Sequence, residues 1–175
     1  MQKFRNRFSM MKTVQIVVFI VFVCFVGVSK ANAQRDYRTG IGFRAGPMAG
    51  LSVKHFISQT EAVEISMSSR WNGSIFHGLY EVHDNIMKES RLNWYYGGGI
   101  HVGYWKLESN LHPWFAEDGS YTSIGIDGIA GMEYCLVDAP ISFSFDWKPM
   151  FNVINKTRFR MDDVGLTIRV FFGNA

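Results

Sequence analysis

Histidine with a neighbouring acid is the pairing from which acid–base, nucleophilic or metal chemistry is most readily built. The chain offers His55, His77, His83, His101 and His112. His77, Glu81 and His83 fall on one parity of one segment, and His101, Asp127 and Glu133 fall on the matching parity of later ones. A histidine of this set with an acid and Ser66, Ser68 or Ser142 would supply the parts of a hydrolase. The sequence holds neither a G-x-S-x-G elbow nor an H-E-x-x-H pair. The serines also share their parity with many glycines, and room for larger neighbours explains them more simply. No catalytic residue, cofactor or metal is therefore expected, with a hydrolase acting on lipid as the alternative.

Two other features carry no chemistry. Gly97-Gly98-Gly99 lacks the lysine and helix start of a phosphate loop. Small residues there are expected to make room for a bulky inward ring such as Tyr95 or Trp105. The two cysteines, Cys24 and Cys135, lie far apart, and Cys24 sits in an apolar run near the N-terminus. If that run is removed, no internal disulfide is possible.

The elements that must position these residues show best at Pro140–Pro149, PISFSFDWKP. Ile141, Phe143, Phe145 and Trp147 alternate with Ser142, Ser144, Asp146 and Lys148. A period of two is that of a strand with unlike faces. Eight such segments recur: 40–47, 51–58, 61–71, 73–84, 92–107, 121–136, 140–153 and 164–172. Short turns are expected near 58–60, 87–90 and 137–139, with Asn72-Gly73 as a tight hairpin turn at the opposite end. The longer polar connections, 108–120 and 154–163, lie at that same opposite end.

One face of these segments is apolar throughout, apart from His55 and Ser69 near strand ends. The other carries Arg44, Lys54, Arg70, Lys148 and Arg169 with Glu64, Glu81, Asp127, Glu133 and Asp146, and His101 among them. Five bases match five acids, and glycines and serines fill the positions between. A soluble sheet turns its charges to water, where balance is optional. A narrow membrane barrel turns them inward, where an unpaired charge is very costly. The match of charges and the small spacers favour the barrel, closed because lipid tolerates no open sheet edge. Aromatic residues near strand ends, including Trp71, Trp94, Tyr134 and Phe172, suit the headgroup level.

Residues 1–33 read as a separate object: a basic lead, an apolar run over 14–28, and Ala31-Asn32-Ala33. This is the pattern of a cleaved secretory signal, leaving 34–175 as the barrel; a retained anchor is the alternative reading. Met10 and Met11 are alternative starts. The lead holds five basic residues and no acid, so the full-length 18 bases and 15 acids become 13 and 15, a net of −2. The positive charge of the whole chain thus argues for no nucleic acid partner.

The segments at 70–83, 92–105, 125–134 and 140–153 together resemble small outer-membrane β-barrel proteins of the OmpA/OmpX type, in the version common in Bacteroidota. The resemblance spans roughly residues 38 to 172. It implies an all-β fold, an eight-stranded antiparallel up-and-down transmembrane β-barrel in the outer membrane, with both termini in the periplasm. It implies insertion by the outer-membrane assembly machinery, which favours a terminal aromatic. Here Phe172 is followed by Gly173-Asn174-Ala175.

An eight-stranded ring has an interior about wide enough for side chains, so paired charges should largely plug it and general porin activity is not expected. The expected role is structural or surface interaction, in a monomer surrounded by outer-membrane lipids. Trp114 and Phe115, with loops 108–120 and 154–163, are the candidate contacts for an extracellular protein or surface ligand. A further alternative is a secreted soluble β-barrel binding an apolar ligand between the aromatics.

Overall fold

A segment with one charged and one aromatic face must give the two faces different surroundings, and a slip of one residue would exchange them. The computed structural model describes residues 37–70, 73–86, 91–107, 119–136, 138–154 and 158–172. The first six strands are β1 (Thr39–Ala45), β2 (Ala49–Phe56), β3 (Glu61–Arg70), β4 (Gly73–Asn85), β5 (Leu92–Leu107) and β6 (Gly119–Cys135). β7 (Ile141–Trp147) and β8 (Met150–Ile154) make one stave. Both pair with β6, and one register runs from Ala130↔Trp147 to Asp127↔Met150. Pro149 interrupts it without shifting it. The proline lacks an N–H, but its carbonyl still accepts from the Gly128 amide at 2.9 Å.

The eighth stave is β9 (Arg158–Arg160) with β10 (Val164–Phe172). Met150 faces Arg160 while Trp147 faces Val164, so the register slips by one residue between them. Residues 161–163 form the bulge, and they turn Asp163 inward. The segment 154–163, expected as a loop, therefore contains a short strand. Its lack of regular alternation hid it, because a bulge breaks the period on which such reading depends.

Each stave is antiparallel to the next, and β1 pairs with β10, so the all-β ring of eight closes. On β7, Phe143, Phe145 and Trp147 are 40–49% exposed, while Ser142, Ser144 and Asp146 are at most 3% exposed. The same division holds around the ring, with Phe43, Ile65, Phe76, Ile100, Ile126 and Leu166 outside. The aromatics hence line no internal cavity, which overturns the reading of a soluble barrel that holds an apolar ligand between them. Along β10 five outward side chains, Val164 to Phe172, form a continuous apolar strip. Nine residues rising ~3.3 Å each and tilted by ~40° make it about 20 Å tall.

The interior is filled in layers. Tyr37, Phe56, Ala62 and Cys135 pack together near the end where β1 begins and β10 finishes, with Tyr37 stacked on Phe171. Leu79, Tyr95 and Ile129 form a middle layer. Met48, Ile75, Trp105 and Met150 pack near the opposite end. The inward rings do find glycines, but not the expected run. A side chain at Gly73 or Gly103 would run into the Trp105 ring, and one at Gly131 would meet the Tyr95 ring. At Gly97 and Gly99 the obstacle is the backbone of β4, so those positions serve close strand approach.

Candidate functional site

Ten charged side chains are buried among the described residues: Arg44, Lys54, Lys148 and Arg169 against Glu64, Glu81, Asp127, Glu133, Asp146 and Asp163. The one-for-one balance read from the sequence is thus not what the lumen contains. Arg70 lies at the barrel mouth, where its guanidinium donates to the exposed Asp162 at 2.8 Å. Asp163, missed within the supposed loop, joins the interior. The charges form three groups of unlike construction.

The largest lies toward the termini. Lys54 reaches from β2 to Glu81 at 2.8 Å, Glu64 at 3.4 Å and Glu133 at 3.7 Å. Arg169, on β10, donates to Glu64 at 2.7 Å and to Glu133 at 2.8 Å. Lys54 and Glu64 are cross-strand partners, while Glu133 comes from the far side of the ring. Ser142 and Tyr37 donate to Glu133 at 2.6 and 3.0 Å, and His83 hydrogen-bonds Glu81 at 3.0 Å. The Lys54 ammonium also sits 4.2 Å from the centre of the Tyr95 ring. Two permanent cations thus hold three carboxylates, with an imidazole attached to the third.

The second group is balanced. Arg44 is bonded to Asp146 at 2.8 Å and to Asp163 at 2.9 Å, and donates to the Met48 carbonyl at 3.1 Å. Lys148 lies 3.9 Å from Asp163. Room for the Arg44 guanidinium exists because Gly165, on the adjacent strand β10, has no side chain there.

The third group contains no lysine or arginine. Asp127 hydrogen-bonds His77 Nδ1 at 2.8 Å through one oxygen and His101 Nδ1 at 2.6 Å through the other. His77 and His101 face each other across β4 and β5. His101 Nε2 meets Asn152 Oδ1 at 2.8 Å, whereas His77 Nε2 has no partner among the described residues. The site lies between apolar layers, because Ile75 and Leu79 flank His77 at the next inward positions and Ile129 follows Asp127.

These positions bear on the hydrolase parts. Ser66 lies opposite His77 on β3, and His77 is bonded to Asp127. Yet Ser66 Oγ and His77 Nε2 are both without a partner, so the nucleophile–base bond that defines such a triad is not made. All three side chains face the packed lumen, away from the outer apolar surface.

At the mouth, Asp162 lies between Arg70 and Arg160, the latter donating at 3.4 Å. Partial burial raises this carboxyl, but the Arg70 hydrogen bond and the two guanidinium charges outweigh it and hold it below the usual carboxylate range. Trp114, Phe115 and the rest of 108–118 lie outside the described residues, as do Trp71, the expected signal over 1–33 and Gly173-Asn174-Ala175, while residues 119 and 120 of the expected loop open β6.

The fold has a solved counterpart. The N-terminal β-barrel domain of Pseudomonas aeruginosa OprF superposes with a TM-score of 0.63 at 13% identity, covering 79% of this chain and all of that one. This chain shares that barrel fold. Neisserial surface protein A is also similar, at a TM-score of 0.46 and 13% identity, over 77% of this chain and 93% of the other. No protein-family model and no curated protein sequence matches the chain.

Proposed function

We propose that this chain is an integral outer-membrane β-barrel of the OmpA/OmpX type with a structural or surface-interaction role and no catalytic activity. The observation that carries this is the inversion of the two faces. Phe143, Phe145 and Trp147 are turned out, while Asp146, Lys148 and Arg169 are turned in. A soluble protein rarely exposes a continuous apolar belt, but lipid requires one. Three apolar layers and ten buried charges support a lumen closed to solutes. In this reading the protein enters the outer membrane through its assembly machinery after a signal over residues 1–33 is cleaved. Binding to a surface partner then falls to loop 108–120 and to the mouth around 154–163. The lipid-modifying alternative stands lower, because the serines and histidines it needs face the lumen.

Cell fractionation with paired unheated and boiled gel lanes tests the proposal. Recovery with outer membranes and a band that shifts on boiling is the expected result. A soluble periplasmic protein without a shift would refute it.

A further inference from the structure

We propose that His77, His101 and Asp127 form a binding site for one divalent transition-metal ion of the zinc class inside the barrel. Two imidazole nitrogens and a carboxylate are a donor set suited to such ions and poorly suited to magnesium or calcium. The three side chains come from β4, β5 and β6, and their ligand atoms all lie within 4.8 Å of one another. Both Nδ1 atoms already converge on a single carboxylate, at 2.8 and 2.6 Å. Ligands around a tetrahedral ion at ~2.0–2.1 Å are spaced by about 3.3 Å, so a small outward shift admits the ion.

The hydrogen bonds around His101 point the same way. In the tautomer whose Nε2–H donates to Asn152 Oδ1, the Nδ1 lone pair faces Asp127 Oδ1 at 2.6 Å, and a proton or a metal ion must lie between the two. No lysine or arginine of the described residues lies within ion-pair distance of Asp127. Lys148 is near enough to act on His77, but it belongs to the group of Asp163. Asn152 is placed as metal-binding histidines require, holding the ring through its second nitrogen. Gly125 completes the cradle: a Cβ there would lie 2.5 Å from His101 Cε1 and run into the Phe151 carbonyl.

The test is to unfold the purified protein in urea, refold it into detergent micelles with Zn²⁺ or Co²⁺, and desalt it. Retention of about one ion per chain is expected, with the visible absorption of four-coordinate Co²⁺. His101→Gln and Asp127→Asn should abolish retention, and Asn152→Ala should weaken it about tenfold or more. His55→Ala, at an outward-facing position, should leave it unchanged. Folding of each variant is read from the band shift on boiling. If a ligand variant fails to fold, Asn152→Ala, which keeps all three ligands, carries the comparison. A folded wild-type barrel that retains no ion would show that a proton alone bridges the trio, and the proposal would be wrong. Equal retention by His101→Gln or Asp127→Asn would place the ion elsewhere and equally overturn it.

Discussion

Two charged groups share one lumen and are built on different principles. Around Lys54 and Arg169, which stand on either side of β1, fixed cations grip Glu64, Glu81 and Glu133. Around Asp127 only imidazoles approach. The first group ties β2, β3, β4, β6 and β10 together through its own ion pairs. The second involves neighbouring strands and leaves room for a cation. Buried charge in a barrel therefore does not have one meaning. Its role depends on whether the partner can lose its charge.

The largest difference should appear on truncation. Arg169→Ala leaves Glu64 and Glu133 to share the more distant Lys54 with Glu81, and removal of one buried partner costs ~3–5 kcal/mol. The urea midpoint of the heat-sensitive folded band measures it. Combining Arg169→Ala with Glu133→Gln should cost less than the sum of the single changes, whereas strict additivity would show that the two do not act as a pair. Asp127→Asn, by contrast, removes charged hydrogen bonds without stranding a lysine or arginine, and a loss of ~1.5–3 kcal/mol follows. If the two substitutions cost the same, the contrast between the groups fails.

Gly125→Ala comes next. The added methyl meets backbone on one side and His101 on the other, an overpacking worth ~1–3 kcal/mol. It should also disturb His101, visible as a shift of its imidazole NMR signals. The same substitution at Gly78, where nothing lies within 4 Å, should have no such effect.

How much of this was legible depends on the range of the signal. The inward set of Arg44 through Arg169 was readable because parity is local: each residue needs only its neighbours in the chain. The grouping was not. Glu133 meets Lys54 only because the ring closes, and Asp127 meets His77 only through the register of β4, β5 and β6, which no segment carries alone. Asp163 escaped because a bulge placed it out of period, and its absence from the inner set made the charges look balanced. Arg70 had the right parity but lies where the wall ends. The glycines that admit Tyr95 and Trp105 lie at 73, 103 and 131, and pairing across strands, unlike adjacency in sequence, is what selects them.

The smallest effect belongs to the mouth. Asp162→Asn breaks a partly exposed pairing with Arg70 and Arg160 at the mouth, where such pairs contribute ~0–1 kcal/mol. Since this carboxyl is held below its ordinary value, whatever the pairing contributes is present above the unfolded carboxylate pKa and fades as pH falls through the lowered one. Unfolding midpoints of wild type and Asp162→Asn should accordingly converge in acid.

All of these contrasts assume that the charged parity is inside and the aromatic parity meets lipid. The most direct test is a spin label placed in turn at each residue from Ile141 to Trp147 in lipid-embedded protein, read for collision with oxygen and with a water-soluble nickel complex. Oxygen contact should peak at 141, 143, 145 and 147 and vanish at 142, 144 and 146, with little nickel contact at either set. Strong nickel contact at Ser142, Ser144 and Asp146, with the aromatic positions shielded from both reagents, would turn the barrel inside out and contradict the account.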